Sequence, residues 1–304
     1  MTKYKIDYSF LGGATQVSLT NIEQVPVTNV ARVYKIENMP QLCFGLVNHS
    51  EDNEKLQENI NKAFTKGYRH FDGAQGYGNH LYKDAVKIAL SDKERANFWL
   101  TWKDNNISIA KVRQIIEKLN CEYIDLFLIH HSCGIEDDYI ALEQCKRLGL
   151  IRYWGVSNCE NIGLIRMLKE RFNIYANQIQ ARPPGGKVNK RMLLNENFVN
   201  ECNEIGVKIM LFGTMSGISS GLQGELLDIN IHLLEYFLEN IKLINRYYKQ
   251  KYITIENGNV LMVSSNVGDS INPNYDNFYD DILLSEDKMN EINTKLIDFT
   301  LSHQ

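Results

Sequence analysis

Short apolar runs alternate with longer segments of helical periodicity from about residue 41 to the end of the chain. Short apolar runs between turn residues are typical of buried strands, and helical segments between them are typical of a parallel sheet. The runs that predict strands lie at 41–46, 68–73, 98–102, 123–129, 151–156, 174–179, 207–212 and 259–264. About eight strands in this arrangement predict a (β/α)8 TIM barrel in a single α/β domain.

The segments between the runs carry apolar residues at helical spacing, which places one face of each helix against the sheet. The apolar sets are Leu56, Ile60, Ala63 and Phe64; Val112, Ile115, Ile116 and Leu119; and Leu234, Phe237, Leu238 and Ile241. Three glycines, Gly67, Gly149 and Gly206, follow helical segments, where a left-handed residue often ends a helix. A last helix is predicted after Ser285, its N-cap, with Met289, Ile292, Leu296 and Phe299 buried.

The first part of the chain does not follow this alternation. Gly12, Gly13 and Pro26 interrupt short β-type runs such as residues 16–19. We therefore expect residues 1–37 to form an N-terminal extension, a hairpin that closes the floor of the barrel. The barrel domain itself is expected to span residues 38–304.

Composition excludes several classes of partner. The 33 Lys and Arg residues are dispersed against 37 Asp and Glu residues, for a net charge of -4, so we expect neither nucleic acid nor a membrane surface as partner. No uncharged run approaches the roughly 20 residues that a membrane span needs. The six cysteines, Cys43, Cys121, Cys133, Cys145, Cys159 and Cys202, show no C-x-x-C pair, which is typical of a reducing cytosol. A cytoplasmic monomer or weak oligomer is predicted.

Four polar residues lie at the carboxyl ends of successive predicted strands. Asp72 and Tyr77 follow the second strand, Lys103 closes the third, and His130 closes the fourth. In a (β/α)8 barrel these strand ends form one rim, and active sites are built there. The sequence therefore predicts that the four side chains converge on one mouth.

These residue types suit the chemistry of a carbonyl group. A Lys beside a Tyr lowers the pKa of the phenol, and a nearby carboxylate keeps the Lys charged. The Tyr could then act as a general acid near neutral pH, and a His could hydrogen-bond a carbonyl oxygen. Because no side chain donates hydride, reduction of that carbonyl implies a nicotinamide cofactor.

Each of these residues also has an ordinary structural explanation. Asp72 could cap a turn, Lys103 could be a solvated charge, His130 could be a satisfied rim group and Tyr77 a loop aromatic. Their occurrence at successive strand ends favours a functional site. A metal is not predicted, because the adjacent histidines and Cys133 lack a second cluster of ligands.

The segment GYRHFDGAQGYGN at 67–79 resembles the signature of the aldo-keto reductase superfamily. Matching segments follow in order: DLFLIH at 125–130, GVSN at 155–158 and NQ at 177–178. The likeness covers about residue 38 to the end of the chain. It implies an NAD(P)H-dependent oxidoreductase that reduces a small aldehyde or ketone to an alcohol.

The resemblance also implies roles for individual residues. Tyr77 would be the proton donor, Lys103 and Asp72 would tune it, and His130 would orient the carbonyl. The implied cofactor ligands are Ser157, Asn158 and Gln178 for the nicotinamide carboxamide, Phe212 for the ring, and Ser264 and Ser265 for the phosphates. His131, where the family frequently has Trp, and Trp102, beside Lys103, are candidates for the substrate pocket.

Several positions leave alternatives open. Family members that use NADPH commonly carry a Lys and an Arg after the last strand, yet none occurs between Lys251 and Lys288 or in the loop 213–221. NADPH is expected by family habit, while NADH, or weak or no cofactor binding, remains open. Ser157 and Asn158 could also cap the next helix, and Trp102 could simply pack within the barrel.

Two other functions fit the same residues. The site could serve an isomerase, epimerase or dehydratase of a specialised pathway, a reading motivated by the extension and by His131 and Arg182. Alternatively, the barrel could be a catalytically silent binding or regulatory protein, as the missing basic residues would allow.

Overall fold

The computed structural model of the protein describes residues 34–48, 51–131, 133–181, 196–214, 236, 241–254, 256–264 and 271–301. Most of the predicted N-terminal hairpin lies outside the described residues. Arg182, Ser265 and three members of the third apolar set, Leu234, Phe237 and Leu238, also lie outside them, whereas Ile241 is the first residue of a helix.

Eight parallel strands close into a barrel in sequence order, which confirms the predicted (β/α)8 fold. The strands are β1 Leu42–Gly45, β2 His70–Ala74, β3 Trp99–Asp104, β4 Ile124–Ile129, β5 Ile151–Ser157, β6 Ala176–Gln180, β7 Lys208–Phe212 and β8 Val260–Ser264. Each begins and ends within two residues of its predicted bounds. The first and last strands pair directly, with Phe44 opposite Val263, so the sheet closes.

Helices connect the strands and cover the outside of the barrel. Those of the described residues are α1 Asn53–Lys66, α2 Tyr82–Leu90, α3 Ile109–Leu119, α4 Glu136–Arg147, α5 Ile162–Phe172, α6 Glu196–Glu204, α7 Ile241–Tyr252, α8 Ile271–Tyr279 and α9 Glu286–Leu301. A short 3-10 turn, Arg95–Asn97, precedes β3.

Polar side chains cap the first turn of some helices, where backbone N–H groups would otherwise lack a partner. Asp52 accepts a hydrogen bond from Lys55 N at the start of α1, and Ser285 accepts one from Lys288 N at the start of α9. The predicted end residues Gly67, Gly149 and Gly206 all have positive φ, a conformation that glycine adopts without a steric penalty.

The side chains of each strand alternate between two apolar clusters. The cluster inside the barrel includes Cys43, Trp99, Leu126, Leu128 and Met210, and the cluster between barrel and helices includes their outward-facing neighbours. This alternation decides which residues at each strand end point into the mouth. It therefore fixes the composition of the site.

The segment before β1 is bound to the amino-terminal end of the barrel. Arg152 donates hydrogen bonds to the carbonyls of Ile36 and Glu37, and its guanidinium lies 3.9 Å from the centre of the Tyr34 ring. The same guanidinium pairs with the buried Asp125 carboxylate at 2.7 Å. The last residues of the predicted extension therefore lie against the barrel floor.

Helix length and polarity also bear on membrane insertion. In the part of the chain that the structure describes, every helix is too short or too polar to cross a bilayer.

Candidate active site

A fully buried ion pair lies inside the barrel near the carboxyl ends of the strands. The ammonium of Lys103 on β3 donates a hydrogen bond to Oδ1 of Asp72 on β2, and neither side chain is exposed to solvent. Oδ2 of Asp72 accepts a hydrogen bond from the amide of Gln178 on β6 at 2.8 Å. Burial lowers the pKa of Lys103, but attraction to Asp72 and Tyr77 outweighs that effect and raises the pKa above its usual value.

Tyr77 extends this pair toward the mouth. Its hydroxyl is hydrogen-bonded to Lys103, whose ammonium lies 4.7 Å from the centre of the phenol ring. Burial raises the pKa of Tyr77, and the Lys103 charge offsets only part of that increase. The sequence predicted a lowered pKa for this phenol, and that prediction is wrong. Lys103 does lower the pKa, but burial of the phenolate raises it by more.

His130 follows β4 and faces the same space. Its ring centre lies 5.6 Å from that of Tyr77 in an edge-on arrangement. Burial lowers the pKa of His130 to about 3, with further contributions from Lys103 and His131. The imidazole is therefore neutral near pH 7 and can donate one hydrogen bond without carrying a charge.

His131 lies at the surface of the mouth and stacks on His130, with ring centres 3.8 Å apart. Its backbone N–H donates to Oδ1 of Asn105, in the loop after β3, at 3.1 Å. This contact holds the backbone of the residue that follows His130. The predicted place of His131 beside the site agrees with this geometry, and its role in a substrate pocket stays a prediction.

Three polar side chains on neighbouring strand ends have the chemistry that a carboxamide needs. Ser157 ends β5, Asn158 follows it, and Gln178 lies next to them on β6. The backbone N–H of Asn158 donates to the Gln178 carbonyl at 2.8 Å. The Asn158 amide also donates to Ser157 Oγ at 3.2 Å and to the His130 carbonyl at 3.3 Å. Hydroxyl and amide groups at this rim fit the donors and acceptors of a nicotinamide carboxamide.

Ser157 and Asn158 do not cap α5, which was the alternative that the sequence left open. Helix α5 begins at Ile162, and its N-cap is Asn161, whose side chain accepts a hydrogen bond from Leu164 N at 3.1 Å. The proposed role of Ser157 and Asn158 at the mouth therefore does not compete with a capping role.

Phe212 ends β7 on the inner side of the barrel, where it packs against the interior cluster. An aromatic ring at this place fits the stacking role that the resemblance implies. Ser264 ends β8 at the same rim, while Ser265 lies outside the described residues. Their roles in phosphate binding stay predictions.

Trp102 does not line the mouth, which corrects its assignment to the substrate pocket. Strand residues alternate between faces, so Trp102 points outward because Lys103 points inward. Its fully buried ring stacks on Tyr82 of α2, with ring centres 6.0 Å apart. The ring packs so closely on Gly73 of β2 that a Cβ there would lie 2.5 Å from it. Trp102 therefore belongs to the apolar layer between the barrel and the helices.

A chain of asparagines, which the sequence analysis missed, holds the loop that carries Tyr77. The Asn48 backbone N–H donates to the Tyr77 carbonyl at 2.7 Å. The Asn48 amide donates to Asn53, and the Asn53 amide donates to Asn79, each at 3.1 Å. The position of Asn48 just after β1 is the one sequence signal that could have pointed to this network.

A disulfide between Cys133 and Cys159 was also missed, since the sequence analysis found no pairing among the six cysteines. Each cysteine lies shortly after the end of one of two neighbouring strands, β4 and β5. That common placement at one rim was the available signal. Among the described residues, no group of three potential metal ligands occurs.

The geometry supports proton donation to an oxygen in the mouth. Tyr77 holds a proton, Lys103 can stabilise the phenolate that remains, and Asp72 holds Lys103 in place. The neutral imidazole of His130 can donate to the same oxygen. Ser157, Asn158, Gln178 and Phe212 border this space on its other side.

The model of the Aldo/keto reductase family matches residues 41–232, more than half of the chain. The protein therefore belongs to this family.

Individual relatives are distant. The chain is 28% identical over 153 residues to a D-galacturonate reductase of Fragaria ananassa, a match covering 40% of this chain and 48% of that protein. It is 32% identical over 156 residues to a methylglyoxal reductase of Escherichia coli, covering 48% and 55%. The chain thus spans about half the length of these two relatives.

A solved structure extends the likeness of the fold. The Bombyx mori aldo-keto reductase in complex with NADP superposes with a TM-score of 0.63 at 22% identity, covering 84% of this chain and 89% of that one. The barrel is therefore shared over most of both chains.

Proposed function

We propose that this protein reduces a small aldehyde or ketone to an alcohol with a reduced nicotinamide cofactor. The observation that carries the proposal is the hydrogen-bonded series Asp72, Lys103 and Tyr77, buried beside a neutral His130 at one barrel mouth. Family membership and the reductases among its relatives support it.

Each residue contributes a separate step. His130 donates a hydrogen bond to the substrate carbonyl and polarises it. A reduced nicotinamide, when held by Ser157, Asn158, Gln178 and Phe212, would supply the hydride. Tyr77 gives its proton to the carbonyl oxygen, and the Lys103 ammonium stabilises the resulting phenolate. Gln178 holds Asp72, which in turn holds Lys103.

NADPH is the proposed cofactor, with NADH as the second candidate. The nicotinamide end would be held by Ser157, Asn158, Gln178 and Phe212. The absence of Lys and Arg between Lys251 and Lys288 removes the usual charged partners of an adenosine phosphate. A difference in affinity between the two cofactors should consequently be small, which parallel titrations monitored by tryptophan fluorescence can measure.

Tyr77→Phe tests the mechanism. The change removes the proton donor but keeps the ring, so reduction of methylglyoxal should fall by about 100-fold or more while cofactor affinity changes little. Tyr279→Phe, at an exposed tyrosine of α8, is the matched control and should retain full activity. Equal turnover in Tyr77→Phe and the native protein would refute the proposed role.

A further inference from the structure

The disulfide Cys133–Cys159 lies between the two halves of the candidate site. Cys133 is in the loop after His130 and His131, and Cys159 directly follows Ser157 and Asn158. The Cα atoms are 5.2 Å apart. The bridge therefore ties the loop that carries the catalytic-type histidine to the loop that carries the carboxamide ligands.

The two cysteines are held differently. Cys159 is fully buried, and its carbonyl accepts a hydrogen bond at 2.7 Å from the amide of Asn177 on β6. Cys133 is partly exposed and lies in a loop that turns at Gly134, where φ is +77°. Cys159 is thus anchored to the barrel, and the disulfide extends that anchor to the neighbouring loop.

We propose that this pair is a reversible thiol–disulfide switch that sets the activity of the site. In the oxidised form the bridge holds the segment of His130 and His131 against β5. In the reduced form that segment loses its covalent link, and the carbonyl is polarised less effectively. The inference rests on the carbonyl reduction proposed above.

The exchange is a two-electron reaction with a thiol compound. A low-molecular-weight thiolate attacks Sγ of Cys133, the S–S bond breaks, and its electron pair leaves on Cys159, which takes up a proton. A second thiol molecule then attacks the mixed disulfide and releases Cys133 as a thiol. In sum, the protein disulfide gains two electrons and two protons, and two thiol molecules become one disulfide.

The other cysteines do not offer this chemistry. Burial raises the pKa of Cys121 to about 11 and the pKa of Cys145 and Cys202 to about 12, so their thiolates are scarce near neutral pH. Cys43 is fully buried. Cys121, partly exposed at the opposite end of the barrel, is a suitable control.

Kinetics on the two redox forms test the switch. Full-length protein is oxidised with glutathione disulfide or reduced with dithiothreitol, and methylglyoxal reduction is measured after the reagent is removed. Reducing the Cys133–Cys159 disulfide should lower kcat/KM by about tenfold, because even a small displacement of His130 from the substrate carbonyl slows the reaction. Cofactor affinity should change by less than about twofold, since Ser157 and Gln178 stay on barrel strands.

Two variants show whether the change in kcat/KM depends on the Cys133–Cys159 disulfide. Cys133→Ala should show the low kcat/KM of the reduced form under both conditions. Cys121→Ser should respond like the native protein. Equal or higher activity after reduction, or a response retained by Cys133→Ala, would overturn the switch while leaving the proposed function intact.

Hydrogen exchange provides a readout that does not need turnover. Backbone amides at 130–135 should exchange faster in the reduced protein than in the oxidised one, while those of β6 stay unchanged. If neither form reduces any carbonyl, the proposed function fails. The exchange rates of these amides would still show whether the disulfide restrains the segment. Identical exchange in both forms, or free Cys133 and Cys159 thiols in a peptide map of oxidised protein, would contradict it.

Discussion

Tyr77 is subject to two opposing effects on its ionisation. Burial disfavours the phenolate, whereas the Lys103 ammonium favours it, and burial has the larger effect, so the pKa stays above its ordinary value of 10.0. The phenol is therefore protonated throughout the neutral range. That is the form that the proposed proton donor needs, while Lys103 would still lower the energy of the phenolate formed in the proposed reaction.

The raised pKa predicts the pH dependence of reduction. A general acid is lost as the pH rises through its pKa, so kcat/KM should stay level near neutral pH and fall only above about pH 10. His130 should add no acid limb near pH 6, because burial lowers its pKa to about 3. A pH profile of the proposed carbonyl reduction checks both points, and a decline between pH 7 and 8 would contradict this prediction.

At the level of single residues, the sequence predicted which side chains meet but not how their environment acts on them. Asp72, Lys103, Tyr77 and His130 converge because strand ends of a barrel share one rim. The net pKa of Tyr77 depends instead on how completely the side chain is buried, which follows from packing across several elements. Spacing along one chain carries no such information.

The loop between β2 and α2 takes its position from the start of α1. Asn53, the first residue of α1, accepts from Asn48 and donates to Asn79, which lies two residues beyond Tyr77. An amide with both a donor and an acceptor is what such a link requires, and neither aspartate nor alanine replaces it. We therefore infer that Asn53 is a positioning residue for the proposed proton donor.

Asn53→Ala should lower kcat by about fivefold to tenfold with little change in cofactor affinity, because the phenol is displaced and the cofactor ligands are not. Asn61→Ala is the matched control: it lies on the same helix, and its side chain accepts a hydrogen bond from Lys93 instead. A single-turnover measurement separates the chemical step from binding. Equal losses in the two variants would mean that the helix, and not the asparagine chain, is responsible.

At the level of elements, the sequence predicted the strands correctly but not the direction of the Trp102 side chain. The apolar runs gave every strand within two residues of its bounds. Trp102 was assigned to the pocket because it lies next to Lys103, although adjacent strand residues face opposite sides. The same alternation explains why Phe212 and Met210 point inward together.

The two ends of the barrel carry different groups of polar residues. The carboxyl end carries the candidate site, and the amino-terminal end carries the buried charge cluster of Asp125, Arg95 and Arg152. This cluster also binds the segment that precedes β1. Changes there should affect stability and leave the site unaltered.

Arg152→Met should lower the free energy of unfolding by about 3 kcal/mol, the lower end for breaking a buried pair, since Arg95 still faces Asp125. Arg166→Met removes the exposed pair with Glu201 and should cost no more than about 1 kcal/mol. Urea unfolding measures the free energy of unfolding of both variants. Without urea, their kcat/KM should equal that of the unchanged protein. A loss of activity in folded Arg152→Met would show that the two ends are coupled.

For the whole molecule, periodicity was sufficient to predict the closed barrel, because each strand needs a partner on both sides and eight runs supply them. The disulfide was not predictable in the same way. Its cysteines are 26 residues apart and share no motif, and only the closed sheet brings β4 and β5 side by side. Contacts between loops require knowledge of which strands are neighbours.

Pairing between β1 and β8 also means that the finished sheet has no free edge. Unpaired strand edges are the usual template for association between chains, so the native barrel offers none. During synthesis, however, β1 and β7 each keep one unpaired edge until β8 has been made. A chain that stops before residue 260 would keep two open edges, and we expect it to aggregate where the complete barrel does not.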